Sequence, residues 1–257
     1  MKEKIKNILR FLNLVVIKPR DLEIISKLKQ TFQHKERSFI YCGFKYLVDC
    51  LYCHASPGVL ETIIVEIIKF RENNIINGNK ILSMGGGISQ VSSIYEAANF
   101  DIYNLDIEIV SNDAKNIKFD LNQNTSIPFP DKIFDIVLCQ EIIEHIENPW
   151  KIFRDAKKLL KNDGVMIITT PNVLSLQSKI MFLFTGYFKW FTPNCFSYHI
   201  NPIPSWEMNL IANKCGFKTI FIKGSGDYFL NRNNKSPRKI LRNNENLIFF
   251  FKKNDNN

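Results

Sequence analysis

A chain of 257 residues is long enough for one substantial domain carrying a lobe or insertion. With 45% apolar and 23% charged residues it has the composition of an ordinary globular protein, and it lacks any apolar run of about 18 residues that would span a bilayer. The net charge of +9 is spread along the chain, with small clusters at residues 1–10 and 232–242; Lys, Asn and Ile abound throughout, so charge alone gives no reason to invoke a nucleic-acid partner.

Lysines at the N-terminus precede an apolar stretch, Ile8 to Ile17, interrupted by Arg10 and Asn13 and followed by no small-residue cleavage site, which reads as an amphipathic helix rather than a signal peptide. Residues 1–79 read as a mainly helical extension, without a strand running into a glycine turn. Six cysteines lack the density and spacing of a disulfide framework and fit a reducing cytoplasm. Cys50-Leu-Tyr-Cys53-His54 has the spacing of a c-type haem attachment site, but that chemistry belongs to exported proteins; two half-buried cysteines on a helix is the plainer reading. Ser56-Pro57 opens a helix with Val59, Leu60, Ile63, Ile64, Ile67 and Ile68 at helical spacing, broken at Asn77-Gly78-Asn79.

Strands and helices then alternate. Lys80–Met84 is a short strand ending in Gly85-Gly86-Gly87, followed by a helix over 91–99. Asp101–Leu105 is a second strand ending at Asp106, Ile117–Phe119 a short third and Ile133–Cys139 a strongly apolar fourth. The helix Pro149–Leu160, the turn Asn162-Asp163-Gly164 and a fifth strand Val165–Thr169 follow. This interval implies a doubly wound, mostly parallel sheet, with residues 80–257 as its domain. An aromatic-rich insertion occupies residues 171–205. A helix over 206–215 then leads to strands Phe217–Ile222 and Asn246–Phe251, which have no crossover helix between them and predict an antiparallel hairpin at the sheet edge.

A strand entering glycines and then a helix brings backbone N–H groups and the positive helix end to a ligand, whether NAD, a nucleotide or S-adenosylmethionine. The third glycine of the dinucleotide pattern is replaced by Gln90, and the Gly-Lys-Ser/Thr of a P-loop is absent. Asp106, about 20 residues on, is placed to bind a ribose diol.

Ile81-Leu-Ser-Met-Gly-Gly-Gly-Ile-Ser89 resembles the first motif of class I S-adenosylmethionine-dependent methyltransferases. The resemblance continues through Phe119-Asp120-Leu121, Pro128-Phe-Pro-Asp131, Phe134-Asp135-Ile-Val, Glu141-Ile-Ile-Glu144-His145, Asn162-Asp-Gly164 and Thr170-Pro-Asn172. This ordered series, in register over residues 80–222, is similar to the branch holding ubiquinone-biosynthesis O-methyltransferases and small-RNA 2′-O-methyltransferases. It implies a seven-stranded sheet and S-adenosylmethionine as cofactor. Gly85, Gly86 and Gly87 would pass the methionine part, Asp106 and Ile107 the ribose side, Asp120 and Leu121 the adenine, and Gln140 would face the methionine moiety. The sequence departs from the motif at Ser83, where an acid is usual.

Glu141, Glu144 and His145 are spaced i, i+3, i+4, which on a helical turn shares one face. Two carboxylates and an imidazole suit a hard or borderline divalent cation. The resemblance implies such an ion (Mg, Mn or Fe) on Glu141, Glu144, His145 and a later histidine, for which His199 in Ser197-Tyr-His-Ile-Asn201-Pro is the candidate. The alternative is a metal-free site with His199 as general base. His199, Glu141 and His145 are accordingly the candidate catalytic groups for O-methyl transfer.

On the substrate side, Lys179 to Phe191 reads as a lid helix over the sheet, with a membrane-surface patch as the alternative because Lys alternates with Phe and Trp. The Thr170-Pro-Asn, Thr185-Gly-Tyr-Phe and His199-Ile-Asn-Pro elements resemble methyltransferases of bacterial surface-polysaccharide (capsule or lipopolysaccharide) biosynthesis, which implies a sugar or nucleotide-sugar acceptor. The N-terminal helices would cover the acceptor pocket or form a homodimer contact. Two other readings stand beside it: an RNA ribose methyltransferase, requiring a basic groove, and a non-enzymatic binding protein, which Ser83 makes conceivable.

Overall fold

The computed structural model describes residues 26–27, 30, 34–41, 44–51, 58–86, 91–108, 113–123, 125–196, 198–225 and 244–254. A seven-stranded sheet organises the chain. Its strands are β3 (Lys80–Met84), β4 (Asp101–Asp106), β5 (Asn116–Lys118), β6 (Phe134–Gln140), β7 (Leu160–Pro171), β8 (Phe217–Gly224) and β9 (Asn246–Lys253), in the order β5-β4-β3-β6-β7-β9-β8. The first five pair parallel, while β9 runs antiparallel between β7 and the edge strand β8. The expected doubly wound sheet and closing hairpin are both present.

The central strands are apolar on both sides because helices cover both faces. Strand alternation sorts neighbouring residues into two cores. Leu82, Val137, Met166, Phe249 and Phe251 face α3 (Pro149–Leu159) and α5 (Ser205–Lys214). Ile81, Ile136, Ile167, Ile248 and Phe250 face α1 (Val59–Glu72) and α2 (Val91–Ala97). Each fully buried Ile or Phe contributes about 1.5–3 kcal/mol relative to exposure. Since α1 buries Leu60, Ile63, Ile64 and Ile67 against the sheet, it is part of the domain, which therefore starts before residue 80.

The N-terminal extension differs from the helical expectation. His34–Tyr41 (β1) and Phe44–Leu51 (β2) form an antiparallel two-stranded sheet, with Tyr41 paired to Phe44. Phe39, Ile40, Tyr41, Phe44, Tyr46 and Val48 are aromatic or β-branched and suit a pleated ribbon better than a helix. Cys50 lies in β2 opposite Lys35, not on a helix, while Cys53 and His54 are outside the described residues, as are the clusters at 1–10 and 232–242.

The Asn162-Asp163-Gly164 turn is an irregularity inside β7. Phe134 pairs with Leu160 and Ile136 with Val165, so residues 161–164 bulge out before the strand resumes. In the insertion, α4 (Leu176–Thr185) is capped by the Ser175 hydroxyl, which accepts from the Ser178 N–H at 3.1 Å, and ends at Gly186 with φ +75°. The lid expectation does not hold for this helix: of its residues only Ser178 is buried. No described helix is long and apolar enough to cross a membrane.

Candidate active site

The parallel strands end on one side of the sheet, and the chain reverses its winding between β3 and β6, the place where such sheets form a ligand crevice. Gly85 leaves β3 with φ +77° and donates its N–H to the Leu105 carbonyl at 2.7 Å. A Cβ there would lie 2.4 Å from Ile142 Cγ1, so the glycine bend abuts the segment after β6 directly. A Cβ on Gly86 would lie 2.6 Å from Ser83 Oγ and 2.8 Å from Asn104 Oδ1. Ser83, which stands where the motif has an acid, is buried below the bend. Gly87 lies outside the described residues.

Asp106 ends β4 and accepts the Glu108 N–H on Oδ1 at 2.8 Å, which orients its carboxylate; Ile107 beside it is 57% exposed. The Phe119 N–H donates to the Asp106 carbonyl at 2.8 Å, bringing the next loop alongside. There Asp120 accepts the Asn122 N–H at 2.9 Å, and Leu121 is buried. Asn122 Oδ1 in turn accepts the Glu147 N–H at 2.9 Å, tying this loop to the segment beyond β6. Gln140 ends β6 with its Oε1 buried and without a protein partner. Gly85, Asp106, Asp120 and Gln140 therefore all lie where parallel strands end, or in the loop tied there, as a cofactor site requires.

The carboxylate–histidine element is arranged differently from a helical turn. Glu141 has φ +50°, and only Ile143–His145 form a short 3-10 turn, closed by the His145 N–H donating to the Ile142 carbonyl at 2.9 Å. The left-handed backbone directs Glu141 to the sheet. Its Oε1 accepts from Thr169 Oγ1 at 2.6 Å, and its Oε2 from the Asn246 amide. Burial pushes this carboxyl up to about 7, against the two hydrogen bonds.

Glu144, His145 and His199 do come together. One carboxylate oxygen and one nitrogen from each ring all lie within 4.8 Å of one another, and Glu141 is not in this group. Glu144 is 1% exposed; Oε2 accepts from Thr170 Oγ1 at 3.2 Å, while Oε1 is buried with no protein partner. Burial, then the nearby Glu141, raise the Glu144 carboxyl well above its ordinary range. The Glu144 carbonyl accepts the N–H groups of Ile200 and Asn201 at 2.9 and 3.0 Å, and the Asn201 amide donates to the Ile146 carbonyl; this brings the His199 segment to the element.

His199 Nδ1 lies 2.8 Å from the Trp190 carbonyl. With Nδ1 as the donor, the Nε2 lone pair remains for a ligand or a proton. Burial lowers the pKa of both histidines, and His199 lowers that of His145 further, so both rings favour the neutral form. The donor set fits a divalent cation: two neutral imidazoles and one buried carboxylate with an unsatisfied oxygen.

His199 also lines a cavity of about 590 Å³ whose walls include Phe182, Tyr187, Phe188, Phe191 and Phe196. Residue types had marked the glutamates and histidines, but not Thr169, Thr170 and Asn246, which arrive from β7 and β9 and decide what each glutamate does. Thr170 had appeared only within the Thr170-Pro-Asn172 element. Asn246 carries no local signal.

Comparison with known proteins agrees with this architecture. Residues 59–220 match the methyltransferase domain family. A ubiquinone biosynthesis O-methyltransferase from Rickettsia felis is 29% identical over 164 residues, 61% of this chain and 62% of that one. One from Rickettsia akari is 33% identical over 125 residues, 46% and 49% of the two chains. The chain thus spans less than two thirds of these relatives' length. A SAM-dependent methyltransferase structure from Archaeoglobus fulgidus superposes with a TM-score of 0.51 at 17% identity, covering 76% of this chain and 95% of that one, which speaks to the fold. The matched span and the sheet order agree: the chain belongs to the methyltransferase domain family and has the class I methyltransferase fold.

Proposed function

We propose that this protein transfers a methyl group from S-adenosylmethionine to a hydroxyl oxygen of a small molecule, assisted by a divalent cation. The observation that carries the reading is the packing of Gly85 against Ile142, which sets the cofactor bend beside the Glu144–His145–His199 group. The cofactor's sulfonium supplies a methyl already activated for displacement. Asp106 would take the ribose hydroxyls, Asp120 and Leu121 the adenine, and the unpartnered Gln140 Oε1 the methionine end.

A sugar or phenol hydroxyl must be aligned and relieved of its proton. Glu144, His145 and His199 would hold the cation, whose charge supplies stabilisation of the acceptor's developing negative charge. A positive charge also offsets the burial of Glu144, whose second oxygen otherwise has no partner. With the imidazole lone pairs on the cation, the acceptor's proton would pass to solvent water; in a metal-free site the Nε2 of His199, whose Nδ1 is held by the Trp190 carbonyl, would take it up. Glu141, engaged by Thr169 and Asn246, holds the element in place and is left out of the ligand set.

For the acceptor, the insertion motifs support a sugar, nucleotide-linked and destined for a surface polysaccharide. A second reading, a phenolic acceptor, is favoured by the aromatic lining of the cavity beside His199 and by the names of the relatives from Rickettsia. A methyl-transfer screen over nucleotide sugars and catechols, each with EDTA, Mg²⁺ or Mn²⁺, separates the two. Activity that survives EDTA and Glu144→Ala removes the cation from the mechanism; no turnover of either class removes both acceptors.

A further inference from the structure

A polar ladder crosses the sheet beneath the glycine bend. Ser83, Asn104 and Asn116 are register partners on the adjacent strands β3, β4 and β5. Two residues earlier on β3 and β4, the same face carries Ile81 and Ile102, both in the apolar core under α1 and α2. Ser83 is only 4% exposed and Asn104 5%. Polar side chains are costly at such burial unless their partners are fixed, and those of Asn104 are.

The hydrogen bonds of this ladder run in one direction. Asp113, exposed at the outer end, is a carboxylate and can only accept. It takes Asn116 Nδ2 at 3.1 Å on each oxygen, and its Oδ1 also takes the Lys115 and Asn116 N–H groups at 2.8 and 2.9 Å. Asn116 is thereby turned with Oδ1 inward, where it accepts from Asn104 Nδ2 at 2.8 Å. Asn104 must then turn its own Oδ1 inward as well. There it accepts from Ser92 Oγ of α2 at 3.1 Å and lies 2.8 Å from where a Gly86 Cβ would stand. One exposed carboxylate thus decides that an acceptor oxygen, not an N–H, faces the bend beside Ser83, where the motif has an acid.

We infer, with S-adenosylmethionine as the cofactor proposed for this bend, that Asn104 is its positioning residue: the Asn104 oxygen, aimed by Asp113 through Asn116, braces Gly86 and stands in for the acid absent at Ser83. The bend then meets the zwitterionic methionine end of the cofactor from a floor without buried charge. The adenosine end, assigned to Asp106, Asp120 and Leu121, lies outside the ladder.

The test is calorimetric binding of two probes, S-adenosylhomocysteine and methylthioadenosine, the second lacking the amino-acid end. Asn104→Leu is expected to weaken the first by about tenfold and the second by less than about twofold, which also shows that the variant folds. Asp113→Ala, at an exposed position, is expected to weaken S-adenosylhomocysteine alone by about threefold. Asn104→Asp combined with Asp113→Asn reverses the relay while keeping an acceptor under Gly86, and is expected to bind S-adenosylhomocysteine at wild-type affinity or tighter. Three outcomes overturn the inference: equal loss of both probes in Asn104→Leu, as a purely structural role gives; wild-type binding of S-adenosylhomocysteine by that variant; or a double variant as weak as Asn104→Leu. A wild-type chain that binds neither probe removes the cofactor reading as well, so the two failures are distinct.

Discussion

His199 stands edge-on to His145, ring centroids 4.8 Å apart and planes at 83°, although the two enter from opposite sides of β7 in the chain. Its ring is held by the Trp190 carbonyl, and its backbone neighbours Ile200 and Asn201 donate to the Glu144 carbonyl. Insertion and carboxylate–histidine element are therefore one unit, and its second histidine depends on the insertion's fold.

Removing a member of that unit is expected to abolish cation binding before it affects the fold. Glu144→Ala and His199→Ala each lower methyl transfer by about 100-fold or more, with Mn²⁺ affinity by calorimetry falling in parallel. Glu141→Ala retains Mn²⁺ binding to a greater extent than either, since its carboxylate lies outside the group. Equal loss of Mn²⁺ affinity in all three would make Glu141 a ligand after all.

The pH dependence of stability separates Glu141 from the histidines. Its carboxyl rises from the ordinary 4.5 to about 7, so the folded state holds this proton more tightly than the unfolded. That contribution is complete below about 4.5 and is lost as pH rises through about 7. His145 and His199 are lowered and act oppositely, costing stability as pH falls through 6.5. Glu141→Gln removes the first effect and eases the neighbouring Glu144, whose carboxyl Glu141 helps to raise, while the histidine contributions stay in place. Relative to wild type in EDTA, the variant should gain stability between about pH 5 and pH 8 by urea denaturation. A constant difference across that range would contradict the assignment.

Asp106→Ala is expected to weaken S-adenosylmethionine binding by about tenfold or more, the worth of hydrogen bonds to a charged group, with a small change in melting temperature. Asp106 lies at a strand end and is not buried in the core, so affinity rather than stability should respond. Calorimetric titration together with thermal unfolding checks both halves.

Gly85→Ala affects both. At φ +77° an alanine pays about 1–2 kcal/mol in backbone strain, and its Cβ would lie 2.4 Å from Ile142 Cγ1, forcing that side chain to move. The variant should melt several degrees lower. Its cofactor affinity and its Mn²⁺ affinity should drop together, because Ile142 lies between Gln140 and Glu144. A loss confined to the cofactor would show that the bend and the histidine group are independent.

Much of the architecture was legible locally. β3, β4, β6, β7 and the closing hairpin follow from apolar runs bounded by glycine and asparagine, and each appears within a few residues of its expected span. The β1–β2 ribbon was missed because residues 34–51 combine aromatic and β-branched side chains with charged ones in no clear period. The fate of α4 was misjudged for another reason: an apolar helix is ordinarily packed inward, and nothing in its own residues says which face the sheet will leave uncovered.

Two kinds of information thus divide at the site. Chain order and residue type alone determined the alternating sheet, the glycine bend, the aspartates at the strand ends and the four histidine and glutamate positions worth attention, because these rest on short-range periodicity and on steric rules for single residues. Which glutamate joins the histidines was decided only by the assembled fold. Thr169 and Asn246 claim Glu141, Thr170 leaves one oxygen of Glu144 unsatisfied, and the Trp190 carbonyl aims His199. Those partners come from β7, β9 and the insertion, and hydrogen bonds across such separations exist only once the strands are packed.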